Sequence, residues 1–192
     1  MRARPPFAWL TGMAAEQRVA HECHVYRDVA DRAHRLTLFL SDGLRAGDQC
    51  RVIAYTHSPD RAVGALAGAG FDIADVLYNE ALDVIPAAST PLLAMPFDAQ
   101  AALEWLRALA ASARRDGFGG LRVAIEMRWA LSSSVGEAGL AAFERGLNTL
   151  VREEPVRLLC QYDAGVFPPD LLHHAARVHA AKASAPEGRV SP

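Results

Sequence analysis

With 192 residues, 51% of them apolar and 22% charged, the chain has the length and composition of one globular domain of moderate size. A formal net charge of −2 gives no polycationic footprint, so no direct nucleic-acid partner is expected. Three cysteines, Cys23, Cys50 and Cys160, are too few and too scattered for a secreted disulfide framework, and no apolar run approaches the roughly eighteen residues of a membrane span.

The opening "MRARPPFAWLTGMAAEQ" has no apolar stretch long enough for a signal peptide, and residues 1–18 read as an N-terminal arm. The expected location is cytoplasmic, with reduced thiols and no membrane contact. "HECHVY" follows, and Glu22 to Tyr26 predicts a short strand. In "DVADRAHRLTLFLSDGLRAG" Val29, Ala33, Leu36, Leu40 and Leu44 fall near helical spacing, with Gly47 as the stop. "QCRVIAYT", 49–56, predicts a strand buried on both faces. "SPDRAVGALAGAG" opens with a serine cap and a proline in the first turn, and Gly70 ends that helix. Between 72 and 97 "ALDVIPA" suits a strand and "STPLLAMPFD" a proline-punctuated loop. "DAQAALEWLRALAASARRDG" predicts a helix capped by Asp98, with Ala102, Leu106, Leu109 and Ala113 along one face. "GLRVAIEMRWAL" predicts a strand, "EAGLAAFERGLNTLVREE" an amphipathic helix, "PVRLLCQYD" a buried strand and "PPDLLHHAARVHAA" a proline-started helix. Residues 181–192 read as a flexible tail.

Alternating strands and helices predict an α/β fold with a mostly parallel sheet flanked by helices. Such sheets bind ligands beyond the carboxyl ends of their strands. That rule selects Tyr26 and Arg27, Tyr55 to His57, Glu126 to Trp129, and Cys160 to Asp163.

Five stretches carry a resemblance: "HECHVY", "FLSDGLRAGDQCRVIA", "GLRVAIEMRWAL", "FERGLN" and "LLCQYDAGVFPPDLL". Together, in this order and spacing, they resemble the MEDS family, a sensory domain of methanogen and methylotroph proteins and of the dichloromethane-responsive repressor. The resemblance runs from about His21 to His179, and it implies a single sensory domain over 19–180. It also implies a RecA-like three-layer core, similar to that of the circadian clock ATPases but with the nucleotide machinery lost. A phosphate loop needs closely spaced glycines and a lysine to meet the phosphates. "HECHVYRDVADRAH", at the matching place, has neither, and Lys182 is the sole lysine of the chain, so ATP is not expected. Other members join this domain to DNA-binding or kinase modules. Here about twenty residues precede it and about thirteen follow, so a signal is expected to pass by contact with a separate signalling or regulatory protein. The RecA-like core also makes a homodimer a natural expectation.

The candidate site follows from the same residues. Strand alternation puts His21, Cys23 and Val25 on one face and Glu22, His24 and Tyr26 on the other. His21 and Cys23 then either face a ligand or serve as a strand-edge histidine and a small core hydrophobe. Glu126, at the end of an apolar strand, is either a pKa-shifted site residue or the partner of a nearby arginine. Trp129 is either a pocket wall for an apolar ligand or the closure of the core. "CQYD" places Cys160 and Tyr162 on one face. The expected arrangement has His21, Cys23 and Tyr26 as one wall, Glu126 and Trp129 as another, and Cys160 and Tyr162 as a third, binding a small-molecule effector. Arg18, or the arm around it, is a candidate lid, and loops 87–97 or 130–138 are candidates for the moving part.

If the last strand lies beside the first, Cys160 approaches Cys23 and His21. These three would begin a zinc, iron or haem site, for which no fourth ligand is evident; His57, His173, His174 and His179 qualify by residue type alone. A reversible Cys23–Cys160 disulfide would instead make a redox sensor, provided the Cα atoms lie within about 7 Å. No nucleophile elbow or oriented Cys–His pair points to an enzyme. The remaining alternative is a non-catalytic interaction module.

Overall fold

The computed structural model describes residues 20–55, 59–132 and 135–180. Five strands, β1 (His21–Tyr26), β2 (Gln49–Ala54), β3 (Leu82–Pro86), β4 (Leu121–Glu126) and β5 (Val156–Asp163), form one sheet in the order β1-β5-β4-β2-β3, and every pairing is parallel. Six helices connect and flank them: α1 (Val29–Ala46), α2 (Asp60–Gly68), α3 (Ile73–Tyr78), α4 (Ala99–Arg115), α5 (Gly136–Glu153) and α6 (Pro169–Ala180). The result is the expected α/β architecture, a sheet between two helical layers.

The strand order explains the layers. Steps β1 to β2 and β2 to β3 move one way across the sheet, and steps β3 to β4 and β4 to β5 move back. Right-handed crossovers therefore put the connecting helices on opposite faces. Accordingly Leu36, Phe39 and Leu40 of α1 and Leu66 of α2 pack with Val52, Ala124 and Leu159 on one face. Leu106, Phe143, Leu147 and Ala175, from α4, α5 and α6, pack with Val123, Ile125, Leu158 and Cys160 on the other. Strand β4 lies in the middle, and all six of its residues are buried.

Local chemistry sets the helix ends. Asp28, extended at φ −148°, accepts from the amide of Asp31 to begin α1, and Gly47 ends it at φ 76°, a left-handed conformation that glycine adopts without steric cost. Asp98 accepts from the amides of Gln100 and Ala101 at the start of α4. Helix α2 begins at Asp60 after Pro59; the expected serine cap, Ser58, lies outside the described residues, as do the arm and the tail.

Two segments differ from expectation. Helix α3, capped by Asp72, has six residues and buries none, so it offers no periodic stripe to read. In "GLRVAIEMRWAL" the strand stops at Glu126 and Met127–Leu131 coils into a 3₁₀ turn. The ladder to β2 ends at the pair Ile53–Ile125, and the Glu126 carboxylate then accepts from the amide of Tyr55. A side chain takes over where the backbone ladder ends.

Candidate functional site

Strand alternation divides the predicted site residues between two buried clusters, one on each face of the sheet. On the α5/α6 face, His21 from β1 meets Cys160 and Tyr162 from the adjacent β5. Neighbouring positions are directly in register, His21 with Leu158 and Cys23 with Cys160. The condition set on the sequence, that the last strand lie beside the first, is met.

The same face receives Glu144 and Asn148, which sequence reasoning did not single out, and His179, which it named by residue type alone. Glu144 projects from the apolar face of α5, among Leu140, Phe143 and Leu147, and is buried. Its Oε1 accepts a short hydrogen bond from the Tyr162 hydroxyl. Its Oε2 lies 3.3 Å from His21 Nε2 and 3.5 Å from His179 Nε2, and it accepts no hydrogen bond among the described residues. His21 Nε2 is also 3.3 Å from Cys160 Sγ. The two imidazole rings lie 4.0 Å apart, centroid to centroid. Each ring is held from its other nitrogen: His21 Nδ1 is 3.0 Å from Asn148 Oδ1, and His179 Nδ1 donates to the Ala175 carbonyl at 2.6 Å. Asn148, one turn after Glu144 on α5, donates through Nδ2 to Val178 O of α6. His21, Glu144, Cys160 and His179 are all buried, and one ligand atom from each falls within 4.8 Å of the others.

Burial governs the acid–base state here. It pushes the Glu144 carboxyl up to about 7, against the opposing pull of the Tyr162 hydrogen bond. It pushes the Cys23 thiol up to about 12, with the Glu144 charge adding to the shift, and raises Cys160 and Tyr162 well above their ordinary ranges. None of the three cysteines is in a disulfide, and these two are neutral thiols at neutral pH rather than reactive thiolates.

The second cluster contains Tyr26, Glu126 and residues of α1. Buried Glu126 holds the Tyr55 amide at 2.9 Å and faces Arg32 at 3.6 Å. Gln161 donates to Arg32 O at 3.2 Å. Burial, reinforced by Asp163, pushes the Tyr26 hydroxyl up to about 12. The seven predicted residues therefore do not surround one pocket: Tyr26 and Glu126 point away from His21, Cys23, Cys160 and Tyr162. Trp129 belongs to neither cluster. It is buried against Phe97 and Phe143, at ring distances of 5.2 and 5.4 Å, and closes the core. Arg18 and His57 lie outside the described residues.

A groove of about 860 Å³ runs along the outer edge of β1, between α1 and α6. Its lining includes His21, Cys23 and Val25 of β1, Arg35 and Leu38 of α1, and His179 of α6. His21 and His179 thus belong both to the groove wall and to the buried cluster behind it. This groove lies at a strand edge, away from the carboxyl-end rim. At that rim, the Arg27–Asp28 turn joins β1 to α1, and the Asp28 carboxylate occupies the helix N-terminus where a phosphate loop would present its amides.

Compared with known proteins, residues 20–180 match the MEDS family, described as the methanogen/methylotroph, DcmR sensory domain. The chain is also similar to the transcriptional repressor DcmR of Methylorubrum extorquens, at 28% identity over 160 residues, 83% of this chain and 57% of the relative. It therefore spans little more than half the length of that curated relative. No helix among the described residues is long and apolar enough to cross a membrane.

Proposed function

The chain belongs to the MEDS family of sensory domains, and on that premise we propose that it detects a small molecule in the groove beside β1 and passes the change to a separate regulatory protein. The observation that carries this reading is the groove itself, about 860 Å³ and walled on one side by His21 and Cys23 of "HECHVY". That volume suits a small ligand. Val25 and Leu38, both partly exposed on its wall, favour an apolar or hydrocarbon-like group, while Arg35 and Asp42 supply polar contacts. The Asp28 carboxylate at the start of α1 repels an anion, which favours an effector other than a nucleotide.

An occupant between α1 and α6 would alter how α6 sits on β1, and a partner reading α6 would receive the signal. Loops 87–97 and 130–138, the alternatives for the moving part, give Ala87, Leu92, Ala130 and Val135 to the buried core. Helix α6 instead borders the groove through Ala176 and His179, which makes it the better candidate. The partner is a regulatory protein or a second copy of the chain; the repressor relative favours the former. The raised thiols of Cys23 and Cys160 weigh against a thiolate-based redox sensor.

A thermal-shift screen of short-chain alcohols, amines, thiols and alkyl halides tests the groove. Leu38→Trp fills it from a partly exposed position and leaves the core intact. The reading predicts that active compounds raise the melting temperature of the wild type and not of L38W. No active compound, or equal shifts in both proteins, would contradict it.

A further inference from the structure

The buried cluster behind the groove has the makings of a metal centre, independent of what the groove binds. We propose that His21 Nε2, Glu144 Oε2, Cys160 Sγ and His179 Nε2 form a four-coordinate site for one divalent borderline cation, with zinc the best match.

Distances come first. Zinc holds nitrogen and oxygen at about 2.0–2.2 Å and sulfur at about 2.3 Å, so the edges of a tetrahedral donor set measure about 3.3–3.6 Å. The three donor pairs measured here are 3.3 Å for His21–Cys160, 3.3 Å for His21–Glu144 and 3.5 Å for His179–Glu144. These three of the six donor pairs have tetrahedral spacing, and one ligand atom from each of the four residues lies within 4.8 Å of the others.

Orientation comes second. Asn148 Nδ2 donates to Val178 O, which leaves Oδ1 to accept from His21 Nδ1–H. His179 Nδ1–H donates to Ala175 O. In both rings the proton then sits on Nδ1, and the Nε2 lone pair points at Glu144 Oε2, itself an acceptor. Tyr162 donates to the other carboxylate oxygen, Oε1, leaving Oε2 to bind. Metal-binding histidines and carboxylates are held by outer hydrogen bonds in this way. A cation or a shared proton between Glu144 Oε2 and the two Nε2 atoms would hold this buried group together, and the donor spacing accommodates the cation.

Charge comes third. On binding, Cys160 loses its thiol proton to solvent and Glu144 binds as the carboxylate, so one thiolate and one carboxylate neutralise a divalent ion. No electron is transferred. The site is electrically closed, as its burial requires. Two nitrogens, one sulfur and one oxygen suit zinc, a borderline cation, better than calcium or magnesium. Cys23, a metal candidate on sequence, is not among the four convergent donors; Glu144 and His179 complete the set instead. The ligands come from β1, α5, β5 and α6, so the ion would pin α6 to the sheet at the inner wall of the groove.

The test uses the full chain, purified under reducing conditions, stripped with a chelator and titrated with zinc and with cobalt. The expected result is one metal per chain and a cobalt spectrum with tetrahedral ligand-field bands and a thiolate charge-transfer band. Cys160→Ser removes that band, while Cys50→Ser, altering a thiol on the opposite face, keeps it. Asn148→Ala, which only positions His21, weakens zinc binding by about 10- to 100-fold with the circular dichroism unchanged, and it decides the matter should C160S fold poorly. No stoichiometric binding, or the same cobalt spectrum in C160S and the same zinc affinity in N148A, would overturn the site and leave a network held by shared protons.

Discussion

The two faces of the sheet each bury a glutamate, and they treat it in opposite ways. Glu126, on the α1 face, has a permanent cation, Arg32, and a backbone amide, Tyr55, within reach. Glu144, on the α5/α6 face, has neither among the described residues. It receives one hydroxyl from Tyr162 and faces two imidazoles and a neutral thiol. A buried charge costs several kcal/mol unless it is paired and hydrogen-bonded. The first cluster satisfies that condition internally and serves as a clamp between β2, β4 and α1. The second meets it by keeping protons or by taking up a cation. A closed cluster reads as architecture, and an open one reads as a site.

The largest expected effect breaks the closed cluster. Arg32→Met leaves Glu126 buried without its cation and should cost about 3–5 kcal/mol of stability by denaturant unfolding. A loss below about 1 kcal/mol would mean that the pair is not what holds this face. A smaller effect of opposite sign is expected across the sheet. Glu144→Gln keeps an acceptor for Tyr162 and offers an N–H to the facing lone pairs, so the metal-free protein should gain about 1 kcal/mol. A loss of several kcal/mol would show Glu144 to be as firmly paired as Glu126.

The smallest effect concerns Cys50, on the closed face, whose thiol burial pushes from 9.0 up to about 12, with Arg122 pulling the other way. A group whose folded pKa is raised contributes stability that is complete below its unfolded value and is lost as pH climbs through the folded one. This contribution is therefore flat near neutrality and declines above about pH 9. Cys50→Ala should flatten part of that alkaline decline, read from unfolding midpoints across pH. An unchanged alkaline slope would contradict it.

Much of the fold was legible because helices and buried strands write their periods directly. Alternation alone put His21 with Cys23 and Cys160 with Tyr162, and β1 beside β5 did the rest. The same alternation separated Tyr26 and Glu126 from them, which the rim rule for parallel sheets concealed. Glu144 and His179 were not legible as partners, because a helix face and a distant terminal helix meet the sheet only through tertiary packing. One local signal existed. In "FERGLN" a glutamate and an asparagine four residues apart sit beside the apolar stripe of Phe143 and Leu147, an expensive place for a carboxylate without a purpose. Helix α3 escaped because six exposed residues carry no stripe.

Thermal unfolding with and without zinc, in the wild type, Glu126→Gln and Glu144→Gln, tests the contrast most directly. A cation that binds the folded chain alone stabilises it by about 2.7 kcal/mol at a hundredfold excess over its dissociation constant, a rise of roughly 5–11 °C for a domain of this size. The account predicts that rise in the wild type and in E126Q, and its loss in E144Q. No rise in the wild type, or an equal rise in E144Q, would contradict it.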